Sequence, residues 1–250
     1  MKRLLRYLLI GIVLFPYLFL LLLSVGQGWV FPKIFPDSWT LNNWQNVLST
    51  QSALAESLSI SILISVSIAT TATLLGFITS RSIAYHAQRS RWLLLAYFPY
   101  IFSPVIYAAC LQFYFVWLGL SGAIAGVLLA QFFIVYPFAV IFFVSFWNEE
   151  LRAMEQLVLT LGGSRQQAFW RVLLPVAKNP LFICFFQTFL ISWFEYGLTM
   201  LIGVGKVQTL TVKVFQFVNE ANIFNAALAS VLLVVPPTIF LIINKRLVFR

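Results

Sequence analysis

Apolar residues run along this chain in long unbroken stretches, without the regular polar interruptions of a water-soluble fold. Six stretches stand out: Leu4–Val25, Ala53–Thr79, Trp92–Val116, Ala123–Trp147, Leu181–Ile202 and Phe224–Ile243. A hydrocarbon core of ~30 Å is crossed by about 20 apolar residues in a helix, so each stretch predicts one transmembrane helix. Continuous rather than alternating apolarity excludes a membrane β-barrel. The expected fold is an all-α polytopic membrane protein of six helices, a single domain over residues 1–250. One long polar connector, residues 148–178, lies between the fourth and fifth spans.

Composition agrees, with 61% apolar and 9% charged residues and a mean hydropathy of +0.94. A soluble domain carries roughly 25% charge, so lipid must cover this surface. Charge then orients the spans. With the N-terminus inside, the inner segments hold Lys2, Arg3, Arg6, Arg81, Arg89, Arg91, Arg152, Arg165, Arg171, Lys178, Lys245, Arg246 and Arg250. The outer ones hold only Lys33, Lys206 and Lys213. This asymmetry predicts cytoplasmic N- and C-termini. The net charge of +9 therefore reports topology rather than nucleic-acid binding, since no soluble domain carries a basic stripe. The start Met1–Gly26 has the basic opening of a signal peptide and small residues Ser24-Val25-Gly26. Its apolar run exceeds the ~7–15 residues of a signal core and contains Pro16, so it is expected to stay as the first span.

The connector contains LGGSRQQAFWRVLLP, Leu161 to Pro175. Gly162-Gly163 ends one predicted helix, Ser164 caps the next, and Pro175 is expected to stop it. On that second helix Phe169, Val172 and Leu173 form an apolar face, while Arg165, Gln166 and Arg171 take the other. A short amphipathic helix displayed at a membrane surface suits the groove of a soluble partner. The segment resembles the EAA loop of permease subunits of binding-protein-dependent ABC importers, through Gly162, Pro175 and the apolar Phe169, Val172 and Leu174. The Glu-Ala-Ala positions hold Gln156, Leu157 and Val158, with Glu155 one place early, which leaves the first half of the loop degenerate and tilts towards a heteromeric permease pair.

A second resemblance centres on Glu195. A carboxylate inside a span costs at least ~2.5–3.5 kcal/mol on insertion scales, so it faces a bundle interior or a watery path. Ser192-Trp193-Phe194-Glu195-Tyr196-Gly197 is similar to a Glu-aromatic-Gly segment in the fifth helix of importer permeases of the sulfate, molybdate, iron, thiamine and polyamine group. Two roles fit: a structural hydrogen bond between helices, or a pathway or gate site formed by Glu195 with Trp193 and Tyr196. Aromatics beside a carboxylate favour a cation, yet the segment also occurs in anion importers, so substrate charge does not follow.

The remaining features are less specific. Ser57, Ser61, Ser65, Ala69 and Thr73 form a ladder of small residues, either a packing face or a polar wall. Pro104, Pro137 and Pro236-Pro237 interrupt later spans. Cys110 and Cys184 lie in spans and are expected to pack; His86 belongs to a solvated basic loop, Tyr85–Arg91. No Gly-Lys-Ser/Thr phosphate loop occurs, so the chain itself binds no ATP by such a loop, and no catalytic or metal-ligating set is evident. On the outer side, Trp29, Phe31, Trp39 and Trp44 suit the headgroup level. Gly203–Ile223 reads as a short amphipathic element that either anchors at the interface or meets a binding protein.

The resemblance implies a non-enzymatic permease subunit of the bacterial inner membrane. Its implied partners are a cytoplasmic ABC ATPase dimer carrying ATP and Mg, a second permease subunit (the same or a related chain) and an extracytoplasmic substrate-binding protein. Gly162, Gly163, Ser164, Arg165, Phe169, Arg171, Val172, Leu174 and Pro175 would couple to the ATPase. An ion-driven secondary transporter is the alternative, but would want more intramembrane charge and inverted repeats.

Overall fold

The computed structural model describes residues 2–28, 36–48 and 53–248. Trp29, Phe31 and Lys33 lie outside them. The elements in chain order are α1 (Lys2–Ser24), β1 (Gly26–Gln27), β2 (Ser38–Trp39), α2 (Asn42–Leu48), α3 (Ala53–Ala84) and α4 (Arg89–Tyr97). A 3-10 turn (Phe98–Ile101), α5 (Pro104–Trp117), α6 (Ile124–Val144), α7 (Glu149–Thr160), α8 (Arg165–Ala168) and a π turn (Phe169–Leu173) follow. The chain then runs through α9 (Leu174–Trp193), α10 (Gly197–Gly203), α11 (Leu210–Asn219) and α12 (Ile223–Val248). Five helices are long and apolar enough to cross a membrane, and a sixth crossing requires a bent pair to count as one. The all-α polytopic class is thereby established.

The chain divides into two compact units, Met1–Ile62 with Gln208–Ile239 and Leu63–Val207 with Phe240–Arg250. In the first, β1 pairs antiparallel with β2, Gly26 opposite Trp39. The Trp44 indole donates to Ser24 Oγ at 3.2 Å, which ties α2 to the end of α1. The N–H of Leu210, one of the unpaired donors that open α11, is satisfied by Ser61 Oγ at 2.7 Å. Lys213 of α11 is only 8% exposed, with its ammonium donating to Gln216 Oε1 at 3.1 Å.

In the second unit α6 is the central helix. Its sequence is apolar all round, as a helix buried on several sides requires, and Val127, Ala130, Val135, Ala139 and Phe143 are all buried. Gly76 of α3 lets that helix close in: a Cβ there would stand 2.6 Å from Ala139 Cβ. Helix α9 packs on α6, and α10 packs on both α5 and α6. Within this unit, the small-residue ladder of α3 is a packing face. Ser65, Ala69 and Thr73 are buried, Thr73 Oγ1 lies 3.2 Å from Thr188 Oγ1, and Ser65 Oγ lies 3.4 Å from Ser192 Oγ.

The sequence reading needs four corrections. The run Trp92–Val116 is not one straight span: α4 with its 3-10 turn and α5 meet at 95°. Pro104 explains the break, since the preceding Ser103 is held extended at φ −60°, ψ 139°. The run Leu181–Ile202 is interrupted after Trp193, and α10 is a separate helix. Pro175 does not stop its helix, because Arg165–Trp193 is a single helix of 29 residues. The π turn resets the ladder, with Leu174 N–H donating to Phe169 O. Pro175 therefore stands as at a helix start, where its missing N–H leaves no gap. Finally, Cys110, expected to pack, is exposed on α5, whereas Cys184 is buried.

Candidate functional site

The polar connector is closed by hydrogen bonds at every end. Asn148 caps α7 by accepting from Leu151 N at 2.9 Å, and Glu149 and Glu150 sit in its first turn, where the helix dipole favours anions. At the other end Gly163 N donates to Val158 O at 2.9 Å and Gly162 N to Leu159 O at 3.1 Å. This pair of bonds is the glycine-terminated helix stop expected from Gly162-Gly163. Gly162 takes φ +82°, a conformation that costs other L-residues roughly 1–2 kcal/mol. The next helix opens one residue later. Ser164 Oγ accepts from Gln167 N at 3.2 Å, and Gln167 Oε1 accepts from Ser164 N at 2.9 Å, a reciprocal capping box.

The result is a fixed, displayed turn. Leu161 at its tip is 80% exposed. Arg165, Gln166, Arg171 and Pro175 are exposed, Phe169, Val172 and Leu174 are half-buried, and Ala168 and Leu173 are buried. Phe169 meets Phe77 of α3 at 6.2 Å between centroids. Phe77 in turn packs on Phe143 and Trp147, at 5.2 and 5.0 Å.

Charge fastens the connector further. Arg81, near the end of α3, bonds Glu155 of α7 and lies 5.9 Å from the Trp147 ring centre. Arg152 stacks over Tyr85 at 5.3 Å. Burial pushes the Tyr85 phenol above its ordinary range, and its hydroxyl donates to Asn148 O at 3.0 Å. Sequence reasoning counted Arg81 only for topology and Glu155 only as a misplaced acid. Their pairing was not legible because 74 positions separate them.

The second candidate lies at the break after α9. Glu195 stands two residues before α10 and folds its carboxylate over that helix's start. One oxygen accepts from Leu198 N at 2.9 Å; the other accepts from Thr199 N at 3.0 Å and Thr199 Oγ1 at 3.2 Å. These are donors a helix start leaves unpaired, and the positive end of the helix dipole favours an anion there. Gln131 of α6, 1% exposed, continues the network. Its amide nitrogen donates to Thr199 Oγ1 at 2.9 Å, and its carbonyl accepts from Ser192 Oγ. Side chains of α3, α6, α9 and α10 thus form one buried polar chain: Ser65, Ser192, Gln131, Thr199, with Glu195 at its end.

Trp193 is buried and stacked on Phe189 at 5.4 Å; the Tyr196 hydroxyl donates to Met200 Sδ at 2.6 Å. Gln131 was missed by a reading that scanned spans for charge alone. It is the single amide in Ala123–Trp147, so counting amides as well as carboxylates would have found it. Among the described residues no cluster of His, Cys, Asp or Glu could hold a metal ion.

No family model matches the chain. Two curated proteins are similar to it. One is a probable sulfate transport system permease protein, cysT, of Zygnema circumcarinatum, 32% identical over 134 residues. That match takes in 51% of this chain and 46% of the relative, so the chain spans about half of that protein's length in the match. The other is the inner membrane ABC transporter permease protein YcjP of Escherichia coli (strain K12), 22% identical over 193 residues, 74% of this chain and 69% of the relative.

Proposed function

We propose that this chain, a relative of ABC transporter permeases, is the membrane-spanning subunit of an importer whose ATPase engages the turn Leu161–Ser164. One observation carries the reading. The displayed turn opens directly into the unbroken helix Arg165–Trp193. At 1.5 Å per residue, those 29 residues make a lever of about 40 Å. A partner that moves the turn moves a span. The pair Arg81–Glu155 and the contact of Phe169 with Phe77 would pass the same displacement to α3.

In this reading two ATPase subunits close on ATP and Mg, carry the Gly162–Pro175 segment with them, and tilt α3 and α9 so that the path opens to the outside. A second permease subunit, the same or a related chain, completes the path, and a substrate-binding protein delivers the solute on the outer face, where α11 would lie. The excess of basic residues in the connector and at both ends supports a cytoplasmic position for them, with the spans in a bacterial inner membrane. An ion-driven carrier gains no support from Glu195, whose oxygens already accept three hydrogen bonds.

The test uses the purified complex reconstituted with its ATPase and binding protein. Leu161→Asp alters only an exposed tip, and Gly162→Val forces a β-branched residue into a left-handed conformation. Both variants should lose most binding-protein-stimulated ATP hydrolysis and solute uptake. Unchanged stimulation and uptake in both, at normal expression, would refute docking through this turn.

A further inference from the structure

A groove of about 510 Å³ opens between α3, α4 and α6, and nothing so far gives it a role. Its volume is in the ~300–1,000 Å³ range of small-ligand sites. Its walls are chiefly apolar, with Ile78, Ile83, Leu95 and Val140 among them, and His86 and Trp92 also line it. Two tethers hold the walls in place. The Tyr136 hydroxyl donates to Thr79 Oγ1 at 3.0 Å, fixing α6 to α3. The Tyr100 hydroxyl donates to Ile134 O, joining the 3-10 turn to α6 one turn before Pro137, where a proline loosens the carbonyl ladder. Helix α4 itself buries no residue. The groove is therefore a standing feature of the fold, and one wall is left uncovered.

Basic residues gather beside one end of this groove. His86 lines it, and Arg89 and Arg91 come three and one residues before the lining Trp92; both arginines are exposed and line the neighbouring hollow with Leu93, Leu94 and Tyr97. His86 Nδ1 accepts from Gln88 N at 3.0 Å, so its other ring nitrogen carries the proton and is available as a donor. No acidic residue stands between Glu56 and Glu149, and among the described residues no carboxylate is paired with Arg89 or Arg91. A ligand that complements this site has an apolar tail and an anionic head. Basic pockets between membrane helices bind anionic headgroups in this way.

We propose that the groove holds one anionic phospholipid, an acyl chain lying between α4 and α6 and the phosphate at His86, Arg89 and Arg91. This rests on the chain's position in a bilayer and not on the importer reading. Lipid in the groove would support α4, in which no residue is buried, and would couple its position to lipid composition.

The experiment is native mass spectrometry of the full chain released from detergent micelles, offered phosphatidylglycerol or phosphatidylcholine with matched acyl chains. The wild type should retain phosphatidylglycerol preferentially. Arg89→Gln/Arg91→Gln changes only exposed side chains and should cut the preference by about fivefold per arginine. Ala96→Phe, which fills the groove, should reduce retention of both lipids while the chain's circular dichroism stays unchanged. No headgroup preference in the wild type, or a preference that survives the double variant, overturns the proposal. So does protection of Ala96→Cys from a thiol reagent only when a second permease subunit is present, with no effect of phosphatidylglycerol, because a protein then covers the groove.

Discussion

The buried chain through Gln131 allows a quantitative prediction. Gln131→Leu keeps roughly the volume and removes two hydrogen bonds, one to Thr199 Oγ1 at 2.9 Å and one from Ser192. In water-soluble proteins an orphaned buried partner costs about 1–3 kcal/mol. In a bilayer each interhelical bond averages only ~0.6 and reaches ~1.7 kcal/mol, because the separated helices find other partners. Here too the partners have alternatives. Ser192 can turn to Ser65, 3.4 Å away, and Thr199 keeps its bond to Glu195. The expected loss is therefore about 1–2 kcal/mol, at or just above two average membrane bonds of ~0.6 kcal/mol each and well below two of the strongest. A double-mutant cycle with Thr199→Val isolates the direct pair and should return a coupling of about 0.6–1.7 kcal/mol. Reversible unfolding by SDS in mixed micelles reads all four corners. A coupling within about 0.3 kcal/mol of zero, the range found for independent sites, would refute a network that holds α10 to α6.

Two further outcomes follow from the same geometry. Glu195→Gln replaces a double acceptor by a group with one carbonyl oxygen and an amide that faces N–H donors, so stability should fall by about 1–3 kcal/mol and uptake should fall with assembly; a well-assembled complex with normal basal ATP hydrolysis and failed uptake would instead assign Glu195 a pathway role. Cysteines at Gln88 or Gln166 should react with an impermeant thiol reagent only from the cytoplasmic side, and at Gln45 or Gln208 only from outside; labelling of Gln166→Cys in intact cells would reverse the topology.

What could be read from the chain depended on how local the determining physics is. Gly162-Gly163 followed by Ser164 is a helix stop and start written in adjacent residues, and the structure builds both from bonds spanning five positions or fewer. The same locality made Pro175 misleading. Proline usually ends a helix, but a π turn immediately before it changed the register and the helix ran on. That turn forms where Phe169 settles against Phe77, far away in sequence, and Leu173 is buried.

The sequence by itself determined the solvent. Long apolar runs with few charges can be covered only by lipid, and inside lipid the backbone must satisfy itself within helices, so the all-α polytopic class followed from composition and pattern. Tertiary structure alone decided which polar groups meet. Arg81 with Glu155, Ser192 with Gln131, and Gln131 with Thr199 are 74, 61 and 68 positions apart. An apolar helix has no periodic stripe to announce which face turns inward, because both lipid and protein neighbours are apolar. Only the packed helices select the face, and with it the role of Glu195 as a carboxylate folded over the start of α10.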